Sequence, residues 1–190
     1  MEVDWSVANM TLHKGWIREC RQCVSPHFNA RPDDEVSLLV IHNISLPAGQ
    51  FGLPYIDQLF QGCLDIQADE SFCDLQGLEV SAHFLIRRDG ELVQYVSCDD
   101  RAWHAGVSSF AGRTGCNDFA IGIELEGTDS LAYTDEQYER LTQLTLVLFD
   151  AYPMLNRNLI VGHSDIAPGR KTDPGESFDW HRYRVSLVTG

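Results

Sequence analysis

A chain of 190 residues, 44% of them hydrophobic, is long enough to bury one substantial core and falls in the size range of one domain. Its formal net charge of −14 excludes a surface that binds nucleic acid or an anionic membrane through bulk electrostatics, because those partners need clustered Lys and Arg. No apolar run approaches the roughly 18–20 residues of a membrane span, and the acidic start MEVDWSVANMTLHKG lacks the basic and apolar regions of an export signal, so the expected compartment is the cytoplasm, with reduced thiols.

Cys20 and Cys23 have C-x-x-C spacing, but no second pair with metal-ligand spacing follows, so they read as ordinary cysteines. The run VSLLVIHN (36–43) is aliphatic and β-branched throughout, the pattern of a central strand covered on both faces, and it ends on His42. In SAHFLIRRDGELVQYVS (81–97) two apolar segments flank Asp89-Gly90, which predicts a hairpin with a two-residue turn. FAIGIELEG (119–127) alternates with period two. Ile121, Ile123 and Leu125 share one face of that strand, and Gly122, Glu124 and Glu126 the other.

Thr134 opens a helix with a hydroxyl cap, acidic residues in its first turn and apolar positions at helical spacing through Leu148, before Pro153 stops it. NLIVGH (158–163) is a short buried strand ending on His163, and an amphipathic helix is predicted from Phe178 to Val188. Strands and helices mixed in this order predict a mixed sheet flanked by helices, an α/β or α+β layer fold.

The segment GHSDIAPGRKTDPG (162–175) concentrates ionisable residues among breakers of regular structure. His42 and His163 each close an apolar strand that leads into a polar loop. A rigid strand fixes the imidazole there, and the loop leaves a coordination position open to substrate. Either histidine alone reads as a satisfied imidazole. With a third ligand the pair becomes a metal site, and Asp173 is the first candidate because an irregular loop can fold back on His163; Asp165 competes. Two histidines and one carboxylate suit tetrahedral Zn²⁺ with water in the fourth position. Lys171, two residues before Asp173, is placed to stabilise an oxyanion.

Five separated blocks, VIHNISLPAGQFG, VSAHFLIRRDGELVQYV, DRAWHAGVS, CNDFAIGIELEGTDSLAYTDEQY and GHSDIAPGRKTDPG, resemble in order the AmpD family, amidases of Gram-negative bacteria that act in the cytoplasm on 1,6-anhydro-muropeptides. The likeness runs from about Ser25 to Tyr183. It implies an amidase domain over 25–190 behind an N-terminal segment 1–24, and a single-domain peptidoglycan-recognition-like fold with a central mixed sheet. It further implies zinc on His42, His163 and Asp173, Glu124 as the catalytic carboxylate and Lys171 as the oxyanion partner. Period two alone leaves Glu124 and Glu126 equivalent, and the resemblance chooses between them. The implied reaction is hydrolysis of the amide between the lactyl group of anhydro-N-acetylmuramic acid and L-alanine, in recycling of wall fragments.

By the same likeness His104, in RAWHAG, lines the substrate groove. His83 is expected as a substrate contact or hydrogen-bond donor behind the metal ligands, Trp103 as a surface for a sugar ring, and Asn43 as a partner for the stem peptide. Glu79 stands where some relatives carry a basic residue, so Arg113 and Arg88 are the candidate contacts to stem carboxylates. Residues 62–76 match the family poorly and carry no assigned role. The muropeptide substrate is the one expected partner, and a monomer the expected state.

Overall fold

The computed structural model describes residues 10–189. Six strands build one sheet: β1 (Arg21–Gln22), β2 (Leu38–Ile44), β3 (Phe84–Ile86), β4 (Leu92–Gln94), β5 (Ala120–Glu126) and β6 (Ile160–Gly162), in the order β6-β2-β5-β3-β4-β1. β2 runs parallel to β5 and β6, β5 parallel to β3, and β1 parallel to β4, while β3 and β4 are antiparallel. The sheet is therefore mixed and central, as the sequence predicts. Four helices join it: α1 (Tyr55–Phe60), α2 (Asp135–Ala151), the single turn α3 (His163–Ile166) and α4 (Trp180–Thr189). Among the described residues no helix is long and apolar enough to cross a membrane.

The aliphatic run of β2 is buried on both faces because its side chains alternate between two cores. Leu39 and Ile41 join Ile121, Ile123 and Leu125 beneath Leu141, Leu144 and Leu148 of α2 and Tyr183 and Leu187 of α4. Leu38 and Val40 pack on the opposite face with Ala105, Cys116 and Ile166. Farther along that face, α1 covers Leu85 and Val93 with Ile56, Leu59 and Phe60. His42 follows Leu38 and Val40 in period two, which puts it on the face away from α2 and α4.

α2 begins as predicted. Thr134 Oγ1 accepts from Gln137 N, and Gln137 Oε1 accepts in return from Thr134 N, a capping box. α4 starts two residues later than predicted: Asp179 caps it, its Oδ1 accepting from Arg182 N at 2.8 Å, and Phe178 before the cap is buried among Tyr133, Tyr138, Trp180 and Tyr183. The hairpin differs from the two-residue turn. Arg87 and Glu91 pair across a three-residue loop, with Gly90 N donating to Arg87 O and only Gly90 at positive φ (82°). A two-residue type I′ turn needs positive φ at Asp89 as well; instead Asp89 Oδ1 accepts from Glu91 N.

The boundary drawn at residue 25 does not divide the packing. Ile17 is fully buried, its N–H donates to Gln94 Oε1 at 2.8 Å, and β1 extends the sheet beside β4. Residues 1–9 lie outside the described residues. In the C-x-x-C pair burial pushes the Cys20 thiol up to about 12 and also raises Cys23, the direction that disfavours the thiolate.

Candidate active site

The C-terminal ends of β2 and β6 bring His42 and His163 together, and the loop after α3 returns Asp173 to them. His42 Nδ1 lies 3.0 Å from His163 Nδ1 and 3.1 Å from Asp173 Oδ2, and His163 Nδ1 lies 3.0 Å from the same oxygen. All three residues are buried. The expected loop is in part helical, since His163 is the first residue of α3. Asp165 is excluded as a competitor, because its Oδ2 accepts from Gly162 N at 2.7 Å at that helix start.

The donor set fits a cation. His163 Nε2 donates to the carbonyl of Ala105 at 3.1 Å, which leaves Nδ1 as a lone pair facing the other two donors. Three such atoms in a near-equilateral triangle approach one face of a zinc tetrahedron, whose edges are about 3.3 Å for bonds of about 2.0 Å. Asp173 is held as the carboxylate: burial pushes its pKa up, but the adjoining His163 and His42 rings more than offset this and hold it well below the usual range. Burial likewise lowers His42 to about 4, favouring the neutral imidazole that ligation requires.

The two glutamates differ in their surroundings. Glu124 is the lateral neighbour of His42 in the β5–β2 register and so shares its face. Its Oε2 is buried with no hydrogen-bond partner among the described residues, and burial, with the charge of Asp173, raises its pKa well above the ordinary value. Glu126, two residues on, is instead saturated: Arg87 Nη1 lies 3.0 Å from Oε1, and the N–H groups of Gly52 and Arg88 supply further bonds. Lys171 is exposed at the rim, without an ion pair among the described residues, and lines the cavity with Glu124.

His104 borders the cavity, and its ring also backs a metal-site residue. His42 Nε2 and His104 Nδ1 are 2.9 Å apart, and the ring occupies space that a side chain at residue 122 would fill: a Cβ on Gly122 would meet it at 2.5 Å. His83 does not reach the cavity, which corrects its reading as a substrate contact. It is fully buried, its Nδ1 accepts from Gly122 N at 3.0 Å, and its Nε2 faces Asp100 O at 3.1 Å. Arg113 is a second correction: it pairs with exposed geometry to Glu35 at 2.8 Å, lies over Phe119 and does not line the cavity. Arg88 is bound to Ala132 O and Glu126 and is likewise outside it. Asn43 lines the cavity, but both amide hydrogens are committed, to Asp129 Oδ1 at 2.8 Å and Pro174 O at 3.1 Å.

The cavity holds about 280 Å³, and His42, His163 and Asp173 are among the residues that line it. Trp103 forms part of its wall, fixed by an indole N–H to Asn29 Oδ1 at 2.7 Å and stacked on His27. The apolar lining of the cavity includes Leu46, Phe60, Leu75 and Leu78. These residues are not among the sequence candidates. Leu75 closes a 3₁₀ turn (Glu70–Leu75) inside the segment that carries no assignment, and a short turn has no periodicity by which to find it.

Residues 32–176 match the family described as N-acetylmuramoyl-L-alanine amidase. The chain belongs to that family. This amidase is 60% identical over 177 residues to the 1,6-anhydro-N-acetylmuramyl-L-alanine amidase AmpD of Escherichia coli K12, covering 93% of this chain and 96% of that one. It is similar in three dimensions to a crystal structure of a selenomethionine AmpD derivative, with a TM-score of 0.92, 59% identity and coverage of 94% and 99%. A more distant likeness, 27% identical with a TM-score of 0.59, is to the amidase AmiD from E. coli in complex with anhydro-N-acetylmuramic acid-L-Ala-D-γ-Glu-L-Lys; it covers 93% of this chain and 65% of that one.

Proposed function

We propose that this amidase hydrolyses the amide joining the lactyl group of 1,6-anhydro-N-acetylmuramic acid to the L-alanine of the stem peptide, in cytoplasmic recycling of wall fragments, with zinc on His42, His163 and Asp173. The similarity to AmpD over nearly the whole chain supports the substrate. One observation carries the chemistry: two imidazole nitrogens and a carboxylate oxygen converge within 3.1 Å, and on the neighbouring strand Glu124 Oε2 is buried with no hydrogen-bond partner among the described residues.

When bound, zinc supplies Lewis acidity for the amide carbonyl and for the attacking water. The protein's own groups do the rest. Glu124 takes a proton from the water as its oxygen bonds to the carbonyl carbon, and returns a proton to the nitrogen as the C–N bond breaks. The products are a lactyl carboxyl group and a free alanine amine. Burial raises the pKa of Glu124 above the ordinary value, which makes its ionised form a stronger base toward the water's proton. The Lys171 ammonium, with no competing carboxylate partner among the described residues, is available to the oxyanion that forms in between. Phe60, Leu75 and Leu78 give the bound fragment an apolar surface to lie against.

The test compares peptide release by the zinc-loaded protein from purified anhydro-muropeptide and from intact sacculi. Release from the soluble fragment at the much higher rate is expected. Faster attack on intact wall would overturn the recycling role and place the enzyme among lytic amidases, and binding of the fragment without release would remove catalysis altogether.

A further inference from the structure

Asp129 lies in the loop after β5, and no step of the hydrolysis requires it. Its two carboxylate oxygens hold two different parts of the site. Oδ1 accepts from Asn43 Nδ2 at 2.8 Å, and Oδ2 accepts from Thr172 Oγ1 at 2.5 Å. Asn43 follows His42 on β2; Thr172 stands between Lys171 and Asp173. The loop carrying those two residues forms no strand pairing with β2 among the described residues; a main-chain bond from Ser164 N to Asp173 O at 3.0 Å ties it to α3, and side-chain bonds tie it to β2.

The main chain makes the same junction. Asp129 O accepts from Ser177 N at 3.0 Å, and a Cβ on Gly175, which sits at φ 82°, would overlap the backbone of residue 129. The second amide hydrogen of Asn43 and the hydroxyl of Tyr133 both end on Pro174 O, at 3.1 and 2.7 Å. Hydrogen bonds that orient metal ligands from behind are worth about 10- to 100-fold in metal affinity or activity.

We propose that Asp129 is a positioning residue for the hydrolysis: bridging Asn43 and Thr172, it locks the loop that carries Lys171 and Asp173 against the end of the strand that carries His42. This rests on the reading of His42, His163 and Asp173 as zinc ligands. An oxygen lost at residue 129 frees the loop on one side, so Asp173 meets the ion, and Lys171 the oxyanion, in a broader range of positions.

The experiment measures zinc dissociation constants by competition with a chromophoric chelator, and kcat and KM at saturating zinc, for the full chain and for Asp129→Ala, Asp129→Asn and Thr172→Val. Asp129→Ala is expected to weaken zinc by about 10- to 100-fold and to lower kcat at saturating zinc more than it changes KM. Asp129→Asn recovers most of the loss, because its amide oxygen can accept from Asn43 while its nitrogen donates to the Thr172 hydroxyl. Thr172→Val weakens zinc less, and adds nothing in the Asp129→Ala background. Failure of the unsubstituted protein to bind zinc removes the ligand reading itself. Tight zinc binding by that protein with an equal constant and kcat in Asp129→Ala overturns the role of Asp129 alone. Should Asp129→Ala not fold, Thr172→Val decides, since Thr172 is exposed: an unchanged zinc constant and kcat contradict the proposal.

Discussion

The two faces of the central sheet are built on opposite principles from the same strands. Toward α2 and α4, β5 sends Ile121, Ile123 and Leu125 into an apolar core, and its polar neighbours there are paired: Gln137 Nε2 donates to both Ile86 O and Glu126 O, and Thr145 meets the hydroxyl of Tyr183. Toward the cavity, Gly122 and Glu124 border four buried or half-buried imidazole and carboxyl groups. Two of the four buried polar side-chain atoms without a partner among the described residues lie there, His104 Nε2 and Glu124 Oε2. Unpaired buried groups are costly, and their concentration marks a face built for a ligand, with the other face carrying the stability. Glu126 sharpens the contrast: it shares Glu124's side of the strand yet is fully bonded by Arg87, Gly52 and Arg88.

The largest effect that can break this comparison is kinetic. Glu124→Ala is expected to lower kcat by about 10²–10⁴-fold while thermal stability holds or rises, because a desolvated carboxyl is removed. Peptide release and a melting curve on one preparation check this; unimpaired release ends the role given to Glu124. On the helix side the sign reverses. Leu144→Ala, at a fully buried position on the inner face of α2, is expected to cost about 2–5 kcal/mol of stability, with kcat and KM of the folded fraction unchanged, as read by urea unfolding and by assay below the transition.

The smallest effect is in pH. Burial lowers His83 to about 3, with the Arg31 charge adding to it, from an ordinary 6.5. Between those values the unfolded chain binds a proton that the folded chain does not, so stability falls as pH drops from about 6.5 toward 3. In His83→Asn, whose amide oxygen can still accept from Gly122 N, the loss with acid should be shallower. Identical urea midpoints against pH in both proteins would show that His83 is not the group responsible.

Much of this division was legible in the sequence. Period two in FAIGIELEG and the aliphatic run before His42 fix which side chains share a face, and the capping pattern at Thr134 fixes where α2 starts. The triangle of His42, His163 and Asp173 was legible as a candidate because strand ends and a folded-back loop limit which donors can meet. Other features depend on tertiary partners that leave no local trace. Glu124 and Glu126 are separated only by Arg87, which arrives from the hairpin. Asn43 reads as a free polar residue until Asp129 and Pro174 take its amide hydrogens. β1 is two residues of exposed Arg and Gln, with no apolar pattern to announce a sheet edge. Asp89-Gly90 signals a turn correctly, but loop length is set by which residues pair across it, and Arg87 with Glu91 gives three.

The central claim is that His42, His163 and Asp173 grip one zinc ion, and the most direct measurement is an anomalous difference map at the zinc absorption edge from crystals of the zinc-loaded protein. The account predicts a single strong peak about 2.0–2.2 Å from His42 Nδ1, His163 Nδ1 and an Asp173 carboxylate oxygen. No peak at that triangle, or zinc bound only elsewhere, would contradict it.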